Sequence, residues 1–280
     1  MNFYIFLIFF FLLGLCVGSF LNVLILRLPK KKKISGRSRC PYCKKKLSFK
    51  ELIPVLSFVF LGGKCSSCKK PISLQYPLVE LFTGLSFSFL FWQFYQSFKA
   101  QSSSPILLTL DFLFWLIFAS FLIVIFMTDL KFYIVPDKII YPAIFFAILY
   151  QFLKVFALKN WQLKEVLKIT SWQPFFISLF SGFCVSVFFL SLVILTKGKG
   201  MGLGDVKIGA FMGILLSYPN IIVALVLAFL SGSVIGLILI VLRKKTLKSE
   251  VPFGCFLAPA TFVAFFWGQN LINFYWKLFL

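Results

Sequence analysis

Eight carboxylate side chains and no histidine are found among 280 residues. Without imidazole, Ser-His-Asp and Cys-His nucleophilic schemes are excluded, as is every histidine metal ligand. Acid-base chemistry at neutral pH therefore falls to Glu51, Glu80, Asp111, Asp129, Asp137, Glu165, Asp205 and Glu250. Two of these stand out by their place in the chain. Asp205 lies in Gly200-Met-Gly-Leu-Gly-Asp205-Val-Lys207, at the edge of an apolar run, and Asp129 ends another run in Phe126-Met-Thr-Asp129-Leu-Lys131. An ionisable group beside lipid is expensive and is a functional candidate by default. If the two meet, they form a dyad that shares one proton. Its ionised member takes a proton from water while the protonated member donates to a scissile carbonyl. The alternatives are that each aspartate only pairs with a nearby Lys at the headgroup level, or that Asp137 is the partner. Pro136 more naturally makes Asp137 the N-cap of the next helix. Glycines at alternate positions 200, 202 and 204 disfavour a helix, so the backbone there is a tight turn or an opened helix end. That suits an extended peptide and makes Gly202 and Gly204 candidate substrate contacts.

A second constellation is built from sulfur. Cys40-Pro-Tyr-Cys43 and Cys65-Ser-Ser-Cys68 are two CxxC hooks with 21 residues between the inner pair. This spacing presents two sulfurs from each hook to one tetrahedral ion and reads as a four-thiolate zinc site. Disulfides are the alternative, but the adjoining basic residues argue for a reducing, cytoplasmic setting. A polar segment this short has little core of its own, so a metal staple is physically apt. Cys16, Cys184 and Cys255 lie in apolar surroundings and read as packing residues.

The elements that must position these groups are membrane helices. A chain that is 60% hydrophobic, with 40 Phe and 13% charged residues, is not a soluble domain. The expected fold is an all-α polytopic membrane protein of about eight transmembrane helices with a zinc-ribbon-like cytoplasmic loop. The apolar runs fall near residues 3–28, 77–98, 106–127, 139–157, 175–196, 208–218, 220–242 and 256–276. Three segments follow: a first transmembrane helix (1–28), a cytoplasmic zinc-binding loop (29–76) and a membrane-embedded core (77–280). The net charge of +21 is explained by topology rather than nucleic acid, because the basic residues lie in short loops between apolar runs. Placing the long loop inside puts 23 of the 29 Lys and Arg on the cytoplasmic side. The same orientation puts Asp129, Asp137 and Asp205 there and both termini outside. Asp111 falls near the outer face and reads as a helix cap or a group meeting outer-side water.

In this order, the motifs make the chain resemble the type IV prepilin peptidases, the bifunctional leader peptidases and N-methyltransferases of bacterial inner membranes. The elements that carry the resemblance are Gly18-Ser-Phe-Leu-Asn-Val23, the two hooks, Ile53-Pro54, Tyr76-Pro-Leu-Val-Glu80, Asp129 through Asp137, Gly202-Leu-Gly-Asp205-Val-Lys207 and Pro252-Phe-Gly254. The GxGD element is also similar to that of presenilin-like intramembrane aspartyl proteases. The resemblance implies cleavage of a basic leader from prepilins and pseudopilins after a glycine, at the cytoplasmic face, with Asp129 and Asp205 as the catalytic pair. It further implies methylation of the new amino terminus by S-adenosylmethionine, with the cytoplasmic loop tied to methylation and its cysteines to zinc. Departures from the pattern are Gln75 before Tyr-Pro, Leu52 before Ile-Pro, and Cys255 where Pro often follows Pro-Phe-Gly.

A basic leader must approach a face rich in Lys and Arg, which slows encounter unless anionic lipids screen the repulsion or local carboxylates offset it. With Asp129 and Asp205 committed to catalysis, Glu80 and Glu51 become the expected leader contacts; the alternative is that they pair with Lys of their own loop. Two other classes of function use similar residues. A cation transporter would place its aspartates near the bilayer midplane on broken helices. A non-catalytic assembly factor would use the zinc loop for docking. Replacing either aspartate by Asn separates the three, since it stops turnover in a peptidase, stops flux in a transporter and stops neither in a scaffold.

Overall fold

In lipid no water satisfies the peptide groups, so long runs of Phe, Leu, Ile and Val coil into helices whose hydrogen bonds are internal. The computed structural model describes residues 3–100, 105–160, 172–198, 201–243 and 252–279. Over these residues the elements are α1 (Phe3–Arg27), a 3-10 turn (Lys50–Leu52), α2 (Leu56–Phe60), α3 (Gln75–Lys99), α4 (Pro105–Phe132), α5 (Asp137–Asn160), α6 (Gln173–Leu195), α7 (Leu203–Leu216), α8 (Asn220–Val241) and α9 (Gly254–Phe279). Extended pairing among the described residues is limited to two isolated bridges, Arg39 with Lys46 and Lys64 with Pro71. Gly200, Glu165 and Glu250 lie outside the described residues, as do most of the expected breaks at 101–105, 159–174 and 243–252.

Among the described residues six helices are long and apolar enough to cross a membrane: α1, α4, α5, α6, α8 and α9. The expectation of about eight also counted α3 and α7. Of these, α3 has 25 residues but carries Glu80, Lys99 and several Gln among its apolar ones. The other, α7, has only 14 residues. At 1.5 Å per residue it reaches about 21 Å, short of a hydrocarbon core of about 30 Å.

The chain forms two units, Met1–Val124 and Ile125–Leu280. In the first, α1 and α3 run antiparallel in close contact, and glycines set the approach. A Cβ on Gly14 would lie 2.7 Å from the Cα of Gly84, and one on Gly18 would lie 2.8 Å from the Cα of Glu80. Asn22 continues the register by donating to the Tyr76 carbonyl at 3.1 Å. Small residues let helix backbones meet, and aromatic rings fill what remains. Phe91 stacks on Phe10 with centroids 5.0 Å apart.

In the second unit the short helix α7 is the hub. Nine of its residues are buried, among them Asp205, Ile208, Phe211 and Met212. It packs antiparallel to α6, where a Cβ on Gly213 would lie 2.6 Å from the Cα of Gly182. A buried helix end leaves orphan carbonyls. Here Gln151 of α5 donates its Nε2 to the Ile214 carbonyl at 2.8 Å and to that of Leu215 at 3.1 Å. The α9 start is anchored by Phe253, whose ring lies 5.0 Å from Phe229 and 6.2 Å from Phe189.

Candidate active site and thiolate cluster

Asp129 occupies the last turn of α4 and Asp205 the first turn of α7; both are buried, at 5% and 7% exposure. The helix starts at Leu203 because Gly202, extended at φ −88° and ψ 157°, serves as its N-cap. Asp205 supplies the half of a capping box that a glycine N-cap allows: its Oδ2 accepts the Gly202 amide at 3.2 Å. Asp129 is held from a different element, since its Oδ2 accepts the Cys255 amide of α9 at 3.0 Å. The start of α9 links the two: a Cβ on Gly254 would lie 2.8 Å from Asp129 Oδ2 and 2.9 Å from Cδ1 of Ile208, one turn beyond Asp205 on α7. Neither forms an ion pair among the described residues, so pairing with a headgroup-level Lys is not what the structure shows. Lys207 forms an ion pair with Asp137. Asp137 begins α5 as its first helical residue and is exposed, whereas Asp129 and Asp205 are buried.

The remaining glycines of this segment differ in role. Gly204 has no room for a side chain, because a Cβ there would lie 2.9 Å from Cγ2 of Val135 in the α4–α5 connection. Gly202 is open, with nothing nearer to such a Cβ than the Gly204 amide at 3.8 Å. Two buried carboxylates, at the end of α4 and at the start of α7, beside one accessible backbone edge make a constellation able to hold and transfer a proton at a peptide carbonyl.

The sulfur cluster belongs to the first unit. Its hooks are two copies of one knuckle, offset by 25 residues. The Cys40 amide bonds the Lys45 carbonyl at 3.0 Å and the Cys65 amide bonds that of Lys70 at 2.9 Å. Each turn is completed by a residue at positive φ, Lys44 at 59° and Lys69 at 55°. The four Sγ atoms lie within 4.8 Å of one another. Cys40 and Cys68 are 3.8 Å apart, and Cys43 and Cys65 4.0 Å. These separations are far beyond a disulfide, and they match the ~3.8 Å edge of a tetrahedron with ~2.3 Å zinc–sulfur bonds. The donor set fits zinc. Backbone amides, first that of Cys68 and then that of Ser67, hold the Cys65 thiol down to about 6, toward the thiolate a metal requires.

Glu51 and Glu80 also lie in the first unit, and both carboxylates are engaged. Glu51 Oε1 accepts the Ser66 hydroxyl inside the second hook. Its Oε2 accepts the amide and hydroxyl of Ser48, at 2.6 and 2.9 Å. These bonds, that from Ser66 first, hold the carboxyl down to about 2. Glu80 is buried and its Oε2 accepts the Val55 amide at 2.8 Å. Val55 sits at φ 59°, a strained value for a β-branched residue, so this bond secures the turn after Ile53-Pro54 onto α3. The approach of Gly254 and Cys255 to Asp129 is not readable from spacing, since 126 residues separate the partners. Pro252-Phe-Gly254 was the available signal.

A buried carboxylate pair at the ends of helices in a multi-pass membrane protein is the arrangement of a membrane-embedded aspartyl hydrolase. The comparisons with known proteins agree with this class. Residues 12–94 match the bacterial peptidase A24 N-terminal domain, and residues 116–237 match the type IV leader peptidase family. The chain is 31% identical to the prepilin leader peptidase/N-methyltransferase of Pseudomonas aeruginosa, over 94% of this chain and 91% of that one. It is 30% identical to the protein of the same name from Bacillus subtilis, over 96% and 97% respectively. No solved structure matches. The chain belongs to the type IV leader peptidase family.

Proposed function

We propose that this enzyme removes the basic leader from prepilins and pseudopilins and methylates the amino terminus it exposes, with Asp129 and Asp205 performing the cleavage. The observation that supports the reading is the burial of these two carboxylates, each held by a backbone amide, in the second unit of a chain that belongs to a leader peptidase family. Cleavage needs a water, a base for its proton and an acid for the carbonyl oxygen. A carboxylate pair sharing one proton supplies both, and like charges so close make the half-protonated pair the working form. The open backbone edge at Gly202 receives the extended peptide, while Gly204 keeps the segment seated on Val135.

Cys40, Cys43, Cys65 and Cys68 would hold a structural zinc ion that fixes the two knuckles to each other. S-adenosylmethionine would supply the methyl group, and the first unit, with its loop, is the part of the chain we associate with that step. Glu51 and Glu80 would touch the basic leader while keeping their bonds to the loop; Glu51, only half-buried, is the better placed. The distribution of Lys and Arg supports a site facing the cytoplasm from the bacterial inner membrane.

Mass spectrometry of a prepilin amino terminus, with the purified parent protein and with Asp129→Asn or Asp205→Asn, tests the reading. The parent is expected to yield a shortened, methylated terminus. Each variant is expected to leave the leader in place, because Asn is nearly isosteric but cannot exchange the proton. Processing by either variant within tenfold of the parent rate would overturn the pair.

A further inference from the structure

No task has yet fallen to Pro252-Phe253-Gly254-Cys255, although the start of α9 is what touches Asp129 across the second unit. Three observations converge there. The Cys255 amide donates to Asp129 Oδ2 at 3.0 Å in a buried setting. The Cys255 thiol donates to the Phe126 carbonyl at 3.5 Å, one turn before Asp129 on α4. At Gly254 a Cβ would lie 2.8 Å from Asp129 Oδ2 and 2.9 Å from Cδ1 of Ile208. Ile208 is one turn beyond Asp205 on α7, so a single missing methyl lets α9 close on one aspartate and on the turn that carries the other. Phe253, wedged between Phe229 and Phe189, keeps the α9 start from sliding away.

We infer that Gly254 and the backbone N–H of Cys255 are positioning groups for peptide cleavage. They fix the Asp129 carboxylate through Oδ2, leaving Oδ1 as the oxygen that addresses water and the substrate carbonyl. The inference rests on the reading of Asp129 and Asp205 as the cleavage pair. A carboxylate free to rotate about its terminal torsion loses the alignment on which transfer depends, and a displacement of about 1 Å at a reacting group lowers rate by about a hundredfold. A positioning group acts on the reacting carboxylate rather than on substrate affinity, so its effect is expected in kcat.

The test measures kcat and KM of the full-length protein in lipid vesicles, on a prepilin fragment that spans the leader and the first apolar residues of the mature chain. Gly254→Ala is expected to lower kcat by about a hundredfold with KM unchanged within about threefold. Cys255→Pro removes the N–H and puts its ring Cδ where that hydrogen pointed, against Asp129 Oδ2, while Pro is tolerated in the first helical turn. The loss should be at least about tenfold in kcat, the least expected for removing one hydrogen bond to a charged group. Cys255→Ala, the conservative change that keeps the amide, should recover most of what Cys255→Pro loses. If Gly254→Ala does not accumulate as folded protein, the pair of variants at 255 decides alone. An inactive Asp129→Asn alongside Gly254→Ala and Cys255→Pro that turn over within about twofold of the parent would overturn the inference and leave the catalytic pair standing. Equal losses in Cys255→Ala and Cys255→Pro would also overturn it, by assigning the effect to packing of the side chain. Cleavage by Asp129→Asn would remove the catalytic pair, and this inference with it.

Discussion

Asp129 and Asp137 are eight positions apart and have opposite fates, which shows how much the environment of a carboxylate decides. Asp137 is exposed and paired with Lys207, and the same Lys lies over the Tyr141 ring at 5.2 Å. Asp129 is buried against the Cys255 amide of another helix. Asp137→Asn should therefore lower cleavage by no more than a few-fold, as expected for an exposed pair. Asp129→Asn and Asp205→Asn should each lower it by at least a hundredfold; single-turnover cleavage of one substrate by all three makes the comparison. Glu80 invites a separate experiment, because its carboxylate serves the Val55 turn whether or not it serves the leader. If it contacts the leader, Glu80→Gln should weaken binding of a Lys-rich leader more than of one with its Lys neutralised, by about 1 kcal/mol. Direct binding of the two peptides reads this, and equal losses would leave Glu80 with the turn alone.

At the scale of elements, the design rests on close approach. Helix α7 is short and polar at its start, and three of its glycines meet neighbours too near for a Cβ: Gly204 on Val135, Gly209 on Phe189 and Gly213 on Gly182. Gly213→Val would force α6 and α7 apart. It should destabilise the protein by about 1–3 kcal/mol, the usual effect of overpacking, seen as a lowered melting temperature in detergent. The knuckles follow a different rule, since a segment with so few buried side chains would take its shape from the metal proposed to sit between them. Cys65→Ser should abolish bound zinc, measured by metal analysis of protein purified without chelator. It should also open residues 38–72 to protease while the membrane helices stay resistant. Protein with a full zinc complement after this substitution would refute the four-thiolate site.

The whole molecule carries a net charge of +21, and the substrate proposed above begins with a cationic segment. Long-range repulsion of this kind acts on encounter rate and is screened over about 10 Å at 0.1 M salt. Under the proposed orientation, anionic lipid should offset it. In vesicles of zwitterionic lipid alone, kcat/KM for a Lys-rich leader should rise several-fold as salt is raised from low concentration. Anionic vesicles should show a higher rate at low salt and little or no rise. A rate independent of both lipid and salt would mean that the leader is received away from the basic face.

Much of this was determined by the sequence alone, because its signals are local. Apolar runs must become helices in lipid, and two CxxC hooks can converge on one ion through turns that need only their own residues. The lack of histidine left aspartates as the plausible acid-base pair, and the order of motifs pointed to the family. The span count was less legible: α7 reads as part of a span by hydropathy, yet it is 14 residues long and nine of them are buried against neighbouring residues. Which acids are buried, which are braced and which are spent on Lys was decided only in three dimensions. Asp129 is partnered by an amide 126 residues away, and Glu80 by one 25 residues away. No periodicity or spacing encodes such contacts, since they arise where helices pack, and packing depends on the shapes of every side chain between them.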